Sequence, residues 1–416
     1  MTLNVLFIAF TINAQTSLEN ENSKPKVVLG GFVHADAMYD TRQVVEAREG
    51  YLLFYPKNVK TDKEGNDVNA HGSFNQYAMT ARLTVKVTGP DVLGAKVNAN
   101  IEGDFTGASN LENNGFRLRH AYARLTWSRV TFLAGQYWHP LDIPEMLPNV
   151  LSLNTGAPFR SFSRQPQLRA DIKFGKITWV ITATSQRDYV NNGPEKDSSS
   201  SIYLRNSGIP NLHTQLQFSR EHLFAGIGFD FKQLCPRLLT VMNYEANERI
   251  NSYSFTGFMK VSFKPLIIKA QAIYGQNLND HLMMGGYGVT EIDPLTDRRS
   301  YVPLNQLAAW IGISTTGQTV QYSLFAGFAK GFGANDSIIS PYVYARGIDR
   351  WGGRKADVDY VYRIAPMVTW MVGKMAFAVE LEYTAAAYGP ADKYYRISSS
   401  KEVANLRSTV SVAYNF

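Results

Sequence analysis

Apolar and polar residues alternate one by one in run after run of this chain. A period of two is the spacing of strands whose two faces meet different surroundings. Tyr77, Met79, Ala81, Leu83, Val85 and Val87 alternate with Gln76, Ala78, Thr80, Arg82, Thr84, Lys86 and Thr88, and residues 95–105, 167–174 and 375–384 repeat the pattern. Each run is about 10 residues long, the length a tilted strand needs to cross a bilayer. A soluble sandwich also alternates, but two features favour a barrel in lipid. Short connections (128–129, 175–176, 220–222, 264–265, 316–319, 372–374) alternate with long ones (39–73, 139–163, 189–210, 277–304, 333–358, 386–402). That is expected where turns lie on one side of a membrane and loops on the other. Aromatics also stand at the ends of the apolar faces, where a girdle belongs: Phe105, Trp127, Trp138, Phe174, Trp179, Phe263, Trp370 and Tyr414.

Composition removes the competing classes. Membrane helices need apolar runs of about 20 residues; none occurs past residue 14, and the mean hydropathy is -0.20. With 12% aromatic and 19% charged residues the chain is too apolar for disorder. A single cysteine, Cys235, excludes a disulfide framework and a cysteine zinc site. The net charge of +7, from 42 basic and 35 acidic residues, permits anionic partners. No basic surface with a nucleic-acid reading motif accompanies it.

Residues 1–14 (MTLNVLFIAFTINA) resemble a secretory signal ending at the small Ala14, although a basic leader is missing. Residues 15–26 form a polar segment, and 27–416 read as one all-β domain. Nine strands are counted up to about Lys232 and seven from about Ser252, with 233–251 taken as loop or strand extension. The expectation is a 16-stranded antiparallel transmembrane barrel with both termini on the short-turn side.

The polar face of each strand then lines a water-filled lumen. Basic candidates are Arg82, Lys86, Lys96, Arg124, Arg169, Lys173, Lys232, Lys260, Lys269, Arg363 and Arg407; acidic ones are Glu102, Asp104, Asp171, Asp230, Glu380 and Glu382. The basic excess suggests a lumen that concentrates anions. The alternative is that these charges pair across strands and only solvate a wall. The connection 139–163 (HPLDIPEMLPNVLSLNTGAPFRSFS) is rich in proline and apolar residues. Folding inward would bury Ile143, Met146, Leu147, Val150, Leu151 and Leu153 and would set Asp142 and Glu145 against Arg124 and Arg169. The alternative for this loop is an apolar patch used in subunit contact.

Three stretches in order, FRLRHAYARL (116–125), LAGQYWHPLD (133–142) and SRQPQLRAD (163–171), resemble the DcaP-like porin family. That resemblance implies a trimeric, 16-stranded porin in the outer membrane of a Gram-negative bacterium, passing anions such as dicarboxylates. It further implies that Arg119, His120, Arg164 and Arg169 lie at or near the constriction. Two departures stand out: residues 15–26 are too short for the family's N-terminal coiled coil, and the same stretches also resemble phosphate-selective porins. The final residues VSVAYNF (410–416) resemble the C-terminal signal read by the outer-membrane assembly machinery. The expected pore site therefore comprises Arg119, His120, Arg124, Asp142, Glu145, Arg160, Arg164, Arg169 and Lys173.

No catalytic, metal or cofactor constellation is expected. The seven histidines are scattered, the Gly286–Gly288 GYG lacks a strand–helix phosphate loop, and Glu380 with Glu382 has no nucleophile beside it. Two function classes remain open: a passive diffusion channel, and a barrel acting through its long loops as a surface adhesin.

Overall fold

The computed structural model describes residues 24–107, 110–152, 156–194, 199–347 and 357–416. The expected signal at 1–14 and the polar segment up to residue 23 lie outside the described residues. The alternating runs form sixteen barrel strands: β1 (Lys26–Asp40), β2 (Ser73–Tyr77, resumed at Arg82–Val92), β3 (Ala95–Asp104), β4 (Arg117–Thr126), β5 (Val130–Trp138), β6 (Arg164–Phe174), β7 (Ile177–Thr184) and β8 (Asn211–Arg220). The second half holds β9 (Leu223–Leu234), β10 (Ile250–Phe263), β11 (Leu266–Gln276), β12 (Asn305–Thr315), β13 (Val320–Gly333), β14 (Asp357–Val372), β15 (Met375–Gly389) and β16 (Lys401–Asn415). Neighbours pair antiparallel throughout, and β16 closes onto β1 from Phe32↔Asn415 to Asp40↔Arg407. Closure leaves no free edge, so every spanning strand has its backbone paired on both sides.

The sixteen strands and the parity of turns and loops are as the alternation predicts. Residues 235–249 carry only the bridge Leu239↔Glu245 and add no crossing. On β15, Phe377, Val379, Leu381 and Tyr383 are exposed outward while Ala378, Glu380, Glu382 and Thr384 are buried inward. An apolar surface wrapped round a barrel with a polar interior is the arrangement a bilayer selects. One girdle assignment is wrong. Trp138 is buried on the lumen side against His120, 5.4 Å between ring centroids.

The largest apolar cluster lies inside the barrel rather than between layers. Leu141, Ile143, Met146, Phe159 and Phe162 from the 139–163 connection meet the wall residues Phe258, Trp310 and Phe325 there. A second inward element escaped the sequence reading. The first long connection forms a hairpin, Val44–Ala47 with Leu52–Pro56, whose residues Tyr51 to Tyr55 are all buried. Arg407 of β16 donates to the carbonyls of Gly50 (2.7 Å) and Tyr51 (3.3 Å), and Arg363 of β14 donates to that of Leu53 (2.9 Å). On the loop side, Gly285–Ile292, Arg299–Pro303 and Val343–Arg346 form a small sheet, which takes in the GYG.

The outward face generates a direct test. Val379 pairs with Val368 and Val410 near the middle of its strand. Val379→Lys should cost about 2–4 kcal/mol if that face meets lipid. Denaturant unfolding in lipid vesicles reads this; no loss of stability would place the face in water.

Candidate functional site

The 139–163 connection leaves the wall at the top of β5 and closes its own root, where the His139 amide donates to the Ser163 carbonyl (3.0 Å). Between those points it crosses the lumen. A crossing loop has no ladder partners, so its backbone groups need side chains from the wall. The wall supplies them. Gln271 donates to the Leu141 carbonyl (3.0 Å), Lys269 to that of Leu147 (2.7 Å), Ser323 to that of Asn149 (3.2 Å) and Arg363 to that of Ala157 (3.3 Å). Glu380 accepts from the Leu151 amide at 3.0 Å. Strands β11 and β13 to β15 thus hold a loop rooted on β5 and β6. Gly327 on β13 permits the approach: a Cβ there would stand 2.4 Å from the Phe159 ring.

The opposite side stays open. A cavity of about 340 Å³ runs between the loop and the wall of β4 to β8. Arg124, Arg169 and Lys173 line it as cations, and Asp142, Glu145 and Asp171 as carboxylates. Arg169 is bound to Asp171 at 2.7 Å. Arg124 has no carboxylate partner among the described residues; its guanidinium lies over the rings of Tyr122 (5.2 Å) and Tyr137 (5.6 Å). With Asp142 neutralised by Arg160 from outside the lining and Arg169 by Asp171, Arg124 and Lys173 face Glu145 and leave the wall net positive. A second recess, about 450 Å³, lies along β1 to β4, where Arg82, Lys86, Glu102 and His120 face it.

A β-bulge sets the upper end of this wall. Glu102 opposes His120 while Gly103 opposes Leu118, so Arg119 is the extra residue on β4 and both Arg119 and His120 point inward. Arg119 binds Glu102 (2.8 Å) and Asp104 (2.7 Å); Arg82 and Arg117 reach the same pair at 3.6–4.0 Å. Arg117 extends the chain of charges to Asp188, which Arg164 binds at 2.8 Å. Burial works against the Asp188 carboxylate, but Arg164 and Arg117 outweigh it and hold the group below its usual range. On β5, Gly135 sits at φ 128°, and a Cβ there would come within 2.2 Å of the Ala121 carbonyl oxygen, so glycine alone fits beside β4.

The expected site residues therefore divide. Arg124, Glu145, Arg169 and Lys173 line this cavity. Arg119, His120 and Arg164 lie above it, the two arginines engaged in ion pairs. Asp142 lines the cavity too, whereas Arg160 lies behind it. They are fully buried and bound to each other at 2.6 Å, with Ser161 and the Ser163 amide completing the Asp142 carboxylate. Asp142 lines the same cavity as Arg124, with its charge already balanced by Arg160. Arg117 and Asp188 were not foreseen, because the bulge on β4 and the inward turn of 185–190 leave no periodic mark. Elsewhere Glu382 pairs with Arg363 (3.3 Å), and Lys96, expected in the lumen, is exposed at the turn side with Asp91.

No family model and no curated protein matches the chain. Solved structures do. The outer membrane channel DcaP of Acinetobacter baumannii superposes with a TM-score of 0.68 over 97% of this chain and 100% of that one, at 17% identity. The chain has a DcaP-like porin fold. That fold is shared more distantly by OmpT of Vibrio cholerae (TM-score 0.54, 8% identity, 96% and 99% covered) and by Salmonella typhi OmpF in complex with daunomycin (0.54, 10%, 96% and 100%).

In this DcaP-like barrel the Asp142–Arg160 pair is the buried fastening of the inward loop. Arg160→Met should cost about 3–5 kcal/mol by stranding Asp142. Adding Asp142→Asn should recover part of that loss in the same unfolding assay. Equal stabilities for both variants and the parent would show that the pair does not fasten the loop.

Proposed function

We propose that the chain is an outer-membrane porin of a Gram-negative bacterium, passing small hydrophilic solutes by diffusion with a preference for anions. The observation that carries this reading is the cavity between the inward loop and the β4–β8 wall, where Asp142 is bound to Arg160 and Asp171 to Arg169, and Arg124 and Lys173 face Glu145. Walls of low dielectric strengthen a fixed charge at a narrow point. Screening over about 8 Å at physiological salt mutes the more distant lumen charges, which are in any case mostly paired. Small dicarboxylates and phosphate are the solute classes this charge pattern and the family resemblance favour. The fold it shares with a described outer membrane channel, and with OmpT of Vibrio cholerae in its trimer form, supports an outer-membrane location and a homotrimer. The exposed C-terminal Phe416, next to the outward Tyr414, suits recognition by the assembly machinery.

Reversal potentials in a salt gradient across planar bilayers test the reading. The parent channel should favour anions, and Arg124→Glu with Arg169→Glu should abolish or invert that preference without unfolding the barrel. A non-conducting barrel would favour a surface-binding role for the loops. A cation-selective parent would mean that Glu145 and Asp171 dominate the passage.

A further inference from the structure

Three imidazoles meet at the loop-side ends of the strands, apart from the passage. His139 opens the inward loop, His213 projects from β8, and His281 belongs to the segment 277–284 that follows β11. The ring centroids of His139 and His281 are 4.6 Å apart, and those of His139 and His213 are 5.8 Å apart. All three residues are at most 3% exposed.

This hub fastens three connections at once. Ser161 joins Nδ1 of His281 (2.9 Å) to the Asp142 carboxylate (2.8 Å), and the Phe162 amide donates to the His281 carbonyl (3.0 Å). From 185–210, Gln186 donates to Asp280 at 2.7 Å. The charged groups around the hub are few. The inward loop brings Asp142, which Arg160 neutralises; segment 277–284 brings Asp280, which Lys232 of β9 neutralises at 2.5 Å. β8 adds only His213, and 185–210 faces the hub with uncharged Gln186 and Asn191. That leaves Asp230 of β9, 3.1 Å from His213 and 3.6 Å from His139. One free carboxylate can balance one imidazolium. His281 lies 3.6 Å from Asp280, whose charge Lys232 already balances, so a second charge on rings about 5 Å apart, out of water, lacks a counter-ion of its own and repels the first.

We propose that this histidine hub is an acid-sensitive latch, which holds 139–163 and 277–284 inside the barrel at neutral pH and releases them when His139 at its centre protonates. The direction follows from proton linkage. Burial first, and then His281 beside it, push His139 down to about 3. In a released, hydrated loop the imidazole returns to its ordinary value of about 6.5. The released state therefore binds the proton at His139 more tightly, and the latched state loses about tenfold per pH unit below that value. Ordinary carboxylates titrate below a window from pH 7.5 to 5, but burial raises Asp142 at the hub, so the histidine variant rather than the window assigns the step.

The readout rests on the porin reading. Single-channel conductance is measured in symmetric salt at pH 7.5 and pH 5. The parent should step to a larger conductance at pH 5 as the inward loop lifts. His139→Asn with His281→Gln should keep the conductance seen at pH 7.5 and lose the step. A parent with equal conductance at both pH values overturns the latch, as does a double variant that retains the step. Amide hydrogen exchange on the parent, corrected for intrinsic pH dependence, gives a second measure that needs neither conduction nor a folded variant. Protection of 139–163 and 277–284 should fall at pH 5; unchanged protection overturns the proposal. Absence of conductance at pH 7.5 would count against the porin reading alone, with the exchange result still deciding the latch.

Discussion

Backbone amides and carbonyls that enter a bilayer have no water to bind, and the rest of this architecture depends on that constraint. Sixteen strands satisfy it by pairing in a closed ring, which puts every second side chain in lipid and every other one in a common interior. The interior then has a problem of its own. Loops that fold into it carry unpaired backbone groups, and the wall answers them with long polar side chains. Arg363, Arg407, Gln271, Lys269, Ser323 and Glu380 all spend hydrogen bonds on loop backbone. Many of the charges that look like a conducting lining are therefore structural. They fasten two inward elements against the β11–β16 side and leave the cavity along β4–β8.

Charge accounting within the barrel follows the same logic. Burying an ion without a partner is far more costly than burying a pair, so the deep arginines come with carboxylates: Arg160 with Asp142, Arg164 with Asp188, Arg407 with Asp40. Where water reaches the wall the demand relaxes, and Arg124 stands with aromatic rings but no acid. Selectivity, on this view, comes from the few cations that structure does not consume.

The alternation was legible because a lipid face and a wet face impose it on every strand, and strand number followed from the parity of short and long connections. The inward course of 139–163 was legible because Ile143, Met146 and Leu147 have no place in an exposed loop. The same signal was present in Tyr51–Tyr55, five consecutive apolar or aromatic residues in the first long connection, yet its hairpin was not anticipated. Side-chain partnerships were less accessible. A strand pattern says that Arg160 and Arg164 are near the pore, but not that Asp142 and Asp188 will claim them. The extra residue at Arg119 shifts the inward parity of β4, and a bulge leaves no trace in a period-two reading.

The crossing of the lumen by the 139–163 loop is the premise on which the passage and its charge both rest. Cysteines introduced at Asn149 and Ser323, whose backbone carbonyl and hydroxyl lie 3.2 Å apart, test it in the assembled barrel. With the loop across the lumen, a mild oxidant or a short bifunctional reagent should link them in nearly all folded molecules. A pair that stays unlinked, with the cysteine at 149 freely labelled by a large reagent from outside, would put the loop above the barrel and contradict the proposed passage.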